Sequence, residues 1–220
     1  MVICVLYPRF ELLAALGDRG ALLSEPAALA PEAGREQVVG EVSAPAEAFG
    51  VVPGMRLGEA MSRCPALRLI PPDPEGVRSL WGRVLDRLEA IGAEVESDRA
   101  GAAYFEAGGL HGLHGGELFG VLAAAARALG PGARLGAAPS RFAAHAAALQ
   151  VRPRRSRRAH VVSEDEAGAF LPPLPVALLR TRPELQALPE TLERLGIRTL
   201  GEVAALSSRA VAERFGHPGL

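Results

Sequence analysis

Three sets of side chains in this chain have types and spacings that chemistry could use. The first is a pair of acids, Asp98 and Glu106, bracketing the stretch RAGAAYF. Paired carboxylates hold divalent cations, and two-metal chemistry needs ions about 4 Å apart that share them. Read as one strand, the two acids fall on one face but roughly 26 Å apart, at about 3.3 Å per residue. That is too far to act together. The second set is His111 and His114 in HGLHGG, beside glycines. A metal centre needs further ligands that the neighbourhood does not offer, so a turn ahead of a helix is the simpler reading. The same glycines could open a helix N-terminus onto a phosphate, but the spacing is not GxGxxG. The third set is RPRRSRR at 152–158, five arginines in seven residues with no acid until Glu164. Such a run is either a solvated loop or a segment that contacts phosphates.

Composition removes several classes of function. All 24 basic residues are arginine, and neither lysine nor asparagine occurs. A Schiff-base lysine and a P-loop lysine are therefore both excluded. No GxSxG elbow is present, which argues against acyl-transfer hydrolysis. Cys4 and Cys64 match no metal spacing and read as small buried apolar residues, consistent with a reducing cytoplasm. A net charge of −1 over 220 residues makes any nucleic-acid footprint local rather than global. The opening MVICVLYPRFELL is broken by Pro8, Arg9 and Glu11 and reads as a strand rather than a signal peptide. No apolar run approaches the roughly 20 residues of a membrane span.

The elements that must position these groups follow from periodicity and breakers. Val2–Tyr7 reads as a buried strand ended by Pro8. The stretch from Phe10 to Cys64 reads as short helices with a strand at VVGEV, 38–42, and an amphipathic helix after the Pro53-Gly54 turn. ALRLI at 66–70 is strand-like and closes on PPDP. From Glu75 to Gly92 the apolar residues Val77, Leu80, Trp81, Val84, Leu85, Leu88 and Ile91 keep helical spacing. Next come a strand through Tyr104, a helix at 117–129, a strand at 133–137, a helix at 139–149 and a strand at 159–162. This order predicts an α+β sandwich of the ferredoxin-like type. A linker is expected near 163–175, and a small helical module beyond it.

Four stretches together resemble the Y-family (UmuC/DinB-like) translesion DNA polymerases. They are AFGVVPGMRLGEAMSRCPALRLIPPDP at 48–74, GAAYFEAGGLHGLHG at 101–115, ARLGAAPSRFAAHAAAL at 133–149 and LERLGIRTLGEVAAL at 192–206. The resemblance implies a right-hand core: a ferredoxin-like palm over 1–9 and 65–165, a small fingers insertion over 10–64 and a helical, helix-hairpin-helix-like thumb over 166–220. The family's little finger should follow the thumb, whereas this chain stops at FGHPGL.

The departures from the family pattern decide what the resemblance implies about activity. Anchored on Ala103-Tyr104, the family's catalytic Asp-Glu pair falls on Gly101 and Ala102. Its first metal-binding aspartate falls on Tyr7, and its guard against ribonucleotides on Leu12. Its triphosphate-binding tyrosine and arginine fall on Ala44 and Glu47. Its lysine pair becomes Arg141 and His145, so one charge survives and the other requires a protonated imidazole. In the thumb, Pro183-Glu184-Leu185 stands where a Gly-Ile-Gly hairpin would offer amides to a phosphate. The pattern is most similar to the catalytically inactive ImuB-type paralogues of bacterial mutagenesis cassettes. It implies no metal and no cofactor, and weak non-specific DNA binding through Arg141, Arg152, Arg154, Arg155, Arg157 and Arg158. Implied partners are a sliding clamp, a RecA-like accessory protein and an error-prone C-family polymerase, with no membrane and with association with the nucleoid. Two rival readings are an active nucleotidyltransferase with displaced carboxylates such as Asp98 and Glu106, and a protein scaffold that has lost DNA affinity as well.

Overall fold

The computed structural model describes residues 1–32, 34, 36–152, 158–182, 185 and 188–207. Its organising element is β1 (Val2–Leu6), five residues buried on both faces, as expected of a central strand. β5 (Ala102–Glu106) and β6 (Arg134–Ala138) flank it in antiparallel register, with Leu6 opposite Ala102 on one side and Arg134 on the other. β4 (Glu96–Arg99) lies outside β5, and β7 (Ala159–Val161) runs parallel to β6, giving the order β4-β5-β1-β6-β7.

Both faces of this sheet are covered. Against one lie α4 (Pro74–Glu89) and α5 (Leu118–Leu129), burying Trp81, Val84, Leu88 and Val121 over Ile3, Val5 and Phe105. These include the helical-spacing residues read from the sequence. Against the other lies α6 (Arg141–Gln150), whose alanines meet Val2, Cys4, Leu6 and Ala102. The approach is close because Gly136 of β6 has no side chain: a Cβ there would fall 2.0 Å from the Ala144 carbonyl oxygen. An alanine-rich helix and a glycine in the strand beneath it are one packing solution.

A smaller two-stranded parallel sheet pairs β2 (Ala27–Leu29) with β3 (Arg68–Ile70), packed with α1 (Phe10–Leu16), α2 (Ala44–Ala48) and α3 (Leu57–Arg63). The strand expected at 38–42 is not formed; that segment makes only the isolated bridges Ala28–Val42 and Val38–Arg56. β2 takes its place. Three residues reading Ala-Ala-Leu carry no alternation to mark them as a strand, and tertiary burial decides.

Two further expectations are corrected. The stretch read as a linker holds α7 (Glu164–Phe170), set by a reciprocal capping box between Ser163 and Glu166. Asp98 and Glu106 are on different strands, because the chain reverses at Ala100-Gly101 and pairs Arg99 with Ala102. The 26 Å single-strand separation therefore does not hold. Asp98 lies opposite the stretch Ala102–Tyr104, and Glu106 is two to four residues beyond it, roughly 7–13 Å along β5 at about 3.3 Å per residue, with an inter-strand spacing besides. After a 3₁₀ segment at Val176–Thr181 come α8 (Leu188–Arg194) and α9 (Leu200–Ala204), the latter with its own capping box. Among the described residues no helix is long and apolar enough to cross a membrane.

Candidate functional site

Tyr7, Gly101 and Ala102 meet where β1 ends and β5 begins. The Tyr7 amide donates to the Gly101 carbonyl at 2.8 Å, and Ala102 sits opposite Leu6. The Tyr7 ring turns into an aromatic cluster, edge-on to Phe10 at 5.8 Å and to Trp81 at 6.4 Å between centroids. Its hydroxyl donates to the Leu129 carbonyl at 3.1 Å. Burial pushes the phenol above its ordinary value, with Arg87 opposing, so it stays neutral. Gly101 has φ +87°, and a Cβ there would lie 2.9 Å from Phe10 Cβ. The Trp81 indole N–H donates to Ser97 at 3.0 Å, whose hydroxyl lies 2.9 Å from the Ala102 carbonyl it donates to. That network holds the hairpin turn in place.

A divalent ion takes carboxylate and carbonyl oxygens, with the carboxylates supplying the charge. A neutral phenol already committed to Leu129, a glycine and an alanine do not supply it. These three residues do not fit a metal centre, and no group of three or more His, Cys, Asp or Glu that could hold one occurs among the described residues. His111 and His114 lie in and just after a 3₁₀ turn at Gly108–Leu113, and His114 Nε2 is spent on the Ile91 carbonyl at 2.8 Å.

Leu12, Ala44 and Glu47, the positions expected from the resemblance to face a nucleotide, are engaged within the protein. Leu12 is fully buried beside Leu16, Leu29 and Ile70, and its amide donates to Glu41 at 2.9 Å. Burial raises the Glu41 carboxyl, with the Leu12 amide pulling it back. Ala44 opens α2, capped by Ser43. Glu47, on the same helix, is paired with Arg9, whose Nε also donates to the Val42 carbonyl at 2.7 Å. Arg9 sits at φ 59°, the one non-glycine residue with positive φ among those described. In the sequence Arg9 reads only as a break in the apolar opening, not as a partner for Glu47. The one signal was a charged residue directly after Pro8 at a strand end.

Arg141 and His145 face a cleft of about 280 Å³ between α6 and the C-terminal elements, lined also by Asp98, Tyr104, Phe142, Thr181 and Arg182. The Arg141 guanidinium pairs with Glu96 at 3.0 Å and lies 4.7 Å over the Tyr104 ring. His145 is only 4% exposed. Its Nδ1 meets the Tyr104 hydroxyl at 2.9 Å, and the Cys4 sulfur lies 3.9 Å away. Burial first, then Arg99, lowers its pKa to about 4, so the imidazole is uncharged at neutral pH and Arg141 is the one cation of the two. Burial likewise pushes the Cys4 thiol up to about 12, leaving it unreactive.

Of the arginine run, Arg152 and Arg158 are exposed and have no acidic partner among the described residues. They flank the span between the end of α6 and the start of β7, where the Arg158 carbonyl accepts from Leu135 at 2.9 Å. Arg154, Arg155 and Arg157 lie outside the described residues, as do Pro183 and Glu184 of the expected hairpin.

Comparison with known proteins converges on one family. The impB/mucB/samB family matches residues 7–162. The chain is 26% identical to DNA polymerase IV of Escherichia coli O1:K1 and 27% identical to that of strain O139:H28. Each alignment covers 92% of this chain and 57% of the relative. The chain thus spans little more than half the length of these curated relatives. Among solved structures, DinB from Sulfolobus solfataricus superposes with a TM-score of 0.76 at 18% identity, over 98% of this chain and 63% of that one. An insertion ternary complex of Dbh DNA polymerase gives 0.72 at 19% identity, over 96% and 62%. The α+β palm-like sheet with its helices is the fold of these neighbours.

Proposed function

Because the chain belongs to the impB/mucB/samB family of UmuC/DinB-like Y-family polymerases, we propose that it is a non-catalytic, polymerase-like module of DNA damage tolerance. In this reading it binds DNA weakly and brings partner proteins to it. Residues 1–9 and 65–165 serve as palm, 10–64 as fingers and 166–220 as thumb. The observation that carries the reading is the junction of β1 and β5. Tyr7 turns its ring into the core there, Gly101 has Phe10 against the space a side chain would need, and Ala102 is apolar. Phosphoryl transfer depends on cations neutralising charge at the reacting phosphates. A junction without carboxylates has nothing to hold them.

DNA contact is assigned to Arg141, Arg152, Arg154, Arg155, Arg157 and Arg158. Partners proposed by family resemblance are a sliding clamp, a RecA-like accessory protein and an error-prone C-family polymerase, at the nucleoid. The test is primer extension with the purified chain. Neither Mg²⁺ nor Mn²⁺ should support nucleotide incorporation above a protein-free control. Templated extension that persists through rigorous purification would overturn the non-catalytic reading and favour an active nucleotidyltransferase.

A further inference from the structure

The end of the main sheet beside Tyr7 carries a row of paired residues with an arginine at each end. Arg99 of β4 stands opposite Ala102 of β5, Ala102 opposite Leu6 of β1, and Leu6 opposite Arg134 of β6. Directly opposed residues share a face, and Leu6 and Ala102 lie on the face covered by α6. We propose that Arg99 and Arg134 hold phosphates of one DNA strand directly, with no divalent ion between, so that the strand crosses the sheet along this row. This path rests on the DNA binding proposed above and adds two arginines to it.

Arg134 is the residue that calls for an anion. It is half-buried, and among the described residues its guanidinium has no hydrogen-bond acceptor and no acidic partner. Burial first, then nearby Arg9, lowers its pKa, as expected of one cation set against another. Arg9 is itself spent on Glu47 and the Val42 carbonyl. A desolvated charge without a partner is costly, and a phosphate meeting the planar guanidinium fork removes that cost. Arg99 is exposed and likewise unpaired among the described residues. Three acids lie near. Glu96 pairs with Arg141, and Glu41 accepts from the Leu12 amide while burial raises its carboxyl. Asp98, next to Arg99 in the chain, lines the α6 cleft. Neighbouring strands are about 4.8 Å apart, which sets Arg99 and Arg134 about 14 Å apart across three spacings. Arg158 continues the row, because Leu135 donates to its carbonyl and pairs with Ala159 on β7. Three arginines at intervals suit the repeating phosphates of a nucleic-acid backbone rather than a single phosphoryl group.

The experiment is fluorescence anisotropy of the full chain with a labelled DNA duplex, titrated over salt with and without EDTA. EDTA should not weaken wild-type binding. Arg99→Gln combined with Arg134→Gln should weaken it at least about tenfold and flatten the log–log salt slope by about 0.9 per arginine. Arg127→Gln, on α5 and the opposite face of the sheet, should change neither. The thermal midpoint of Arg134→Gln should not fall, because that variant removes a half-buried, unpaired cation. Binding that needs a divalent ion, an equal loss per charge from Arg127→Gln, or a lowered midpoint for Arg134→Gln each overturns the proposal. So does a double variant that binds like wild type while glutamine at Arg152, Arg154, Arg155, Arg157 and Arg158 abolishes binding. That last outcome leaves the DNA reading intact, whereas a wild type that binds no DNA at any salt concentration overturns both. Stronger protection of Arg99 and Arg134 from phenylglyoxal by dATP than by DNA would replace the strand with a free nucleotide, and overturn it too.

Discussion

At position 101 the backbone has φ +87° and Phe10 Cβ stands 2.9 Å from where a Cβ would be. Introducing an acid there meets two obstacles before any metal arrives. A side chain at positive φ costs on the order of 1–3 kcal/mol, and the contact with Phe10 adds to it. Gly101→Asp should lower the thermal midpoint well below that of Ala100→Ser, a control on the same turn. Equal midpoints would show that the turn adapts freely. His145 provides a second test at this scale. Its folded pKa is lowered to about 4, from an ordinary 6.5, so below pH 6.5 the unfolded chain binds a proton that the folded chain does not. Stability should therefore be fully present above 6.5 and fall as the pH drops toward 4, by on the order of 3 kcal/mol in total. Denaturant titrations at pH 7.5 and 4.5 measure this, and His145→Gln should remove most of the difference. A wild-type profile flat across that window would mean that His145 is not held neutral.

At the scale of elements, one residue ties the turn after β1 to α2. Arg9 donates to the Val42 carbonyl at 2.7 Å and pairs with Glu47, and it holds a left-handed backbone while doing so. Hydrogen bonds to charged groups contribute about 1.5–3 kcal/mol when buried and less when part-exposed, as here. Arg9→Ala removes the bonds and keeps the strain, so it should destabilise by about 1 kcal/mol or more. Amide exchange in α2 should quicken at the same time. Arg9→Gly also loses the bonds but relaxes the backbone, and should be the milder of the two. If Arg9→Gly proves the harsher, the left-handed turn carries no strain.

For the whole molecule, a net charge of −1 hides an uneven distribution: the 152–158 run carries five arginines and no acid. Each phosphate contact contributes about −0.9 to the log–log salt slope on duplex DNA. Replacing Arg152, Arg154, Arg155, Arg157 and Arg158 by glutamine should weaken DNA binding and flatten that slope. Unchanged binding at every salt concentration would leave the run a solvated loop. Much of this architecture was legible in the chain. The spacing through Trp81, Val84 and Leu88 marked the long helix, and the uninterrupted VICVL marked a doubly buried strand. Tyr7, Gly101 and Ala102 bring no carboxylate to the end of β1, and that much is read from the residue types alone. These are local properties, set by period, propensity and the presence or absence of a charged atom. What the tertiary structure decided was everything that depends on chain reversal and burial. The β4–β5 turn put Asp98 and Glu106 on separate strands, which no linear count of residues could show. Burial under α6 took the charge from His145, and a distant loop gave Glu47 its partner in Arg9. The physical reason is that a pKa, an ion pair and a steric limit are set by neighbours in space, and those neighbours exist only once the sheet has closed.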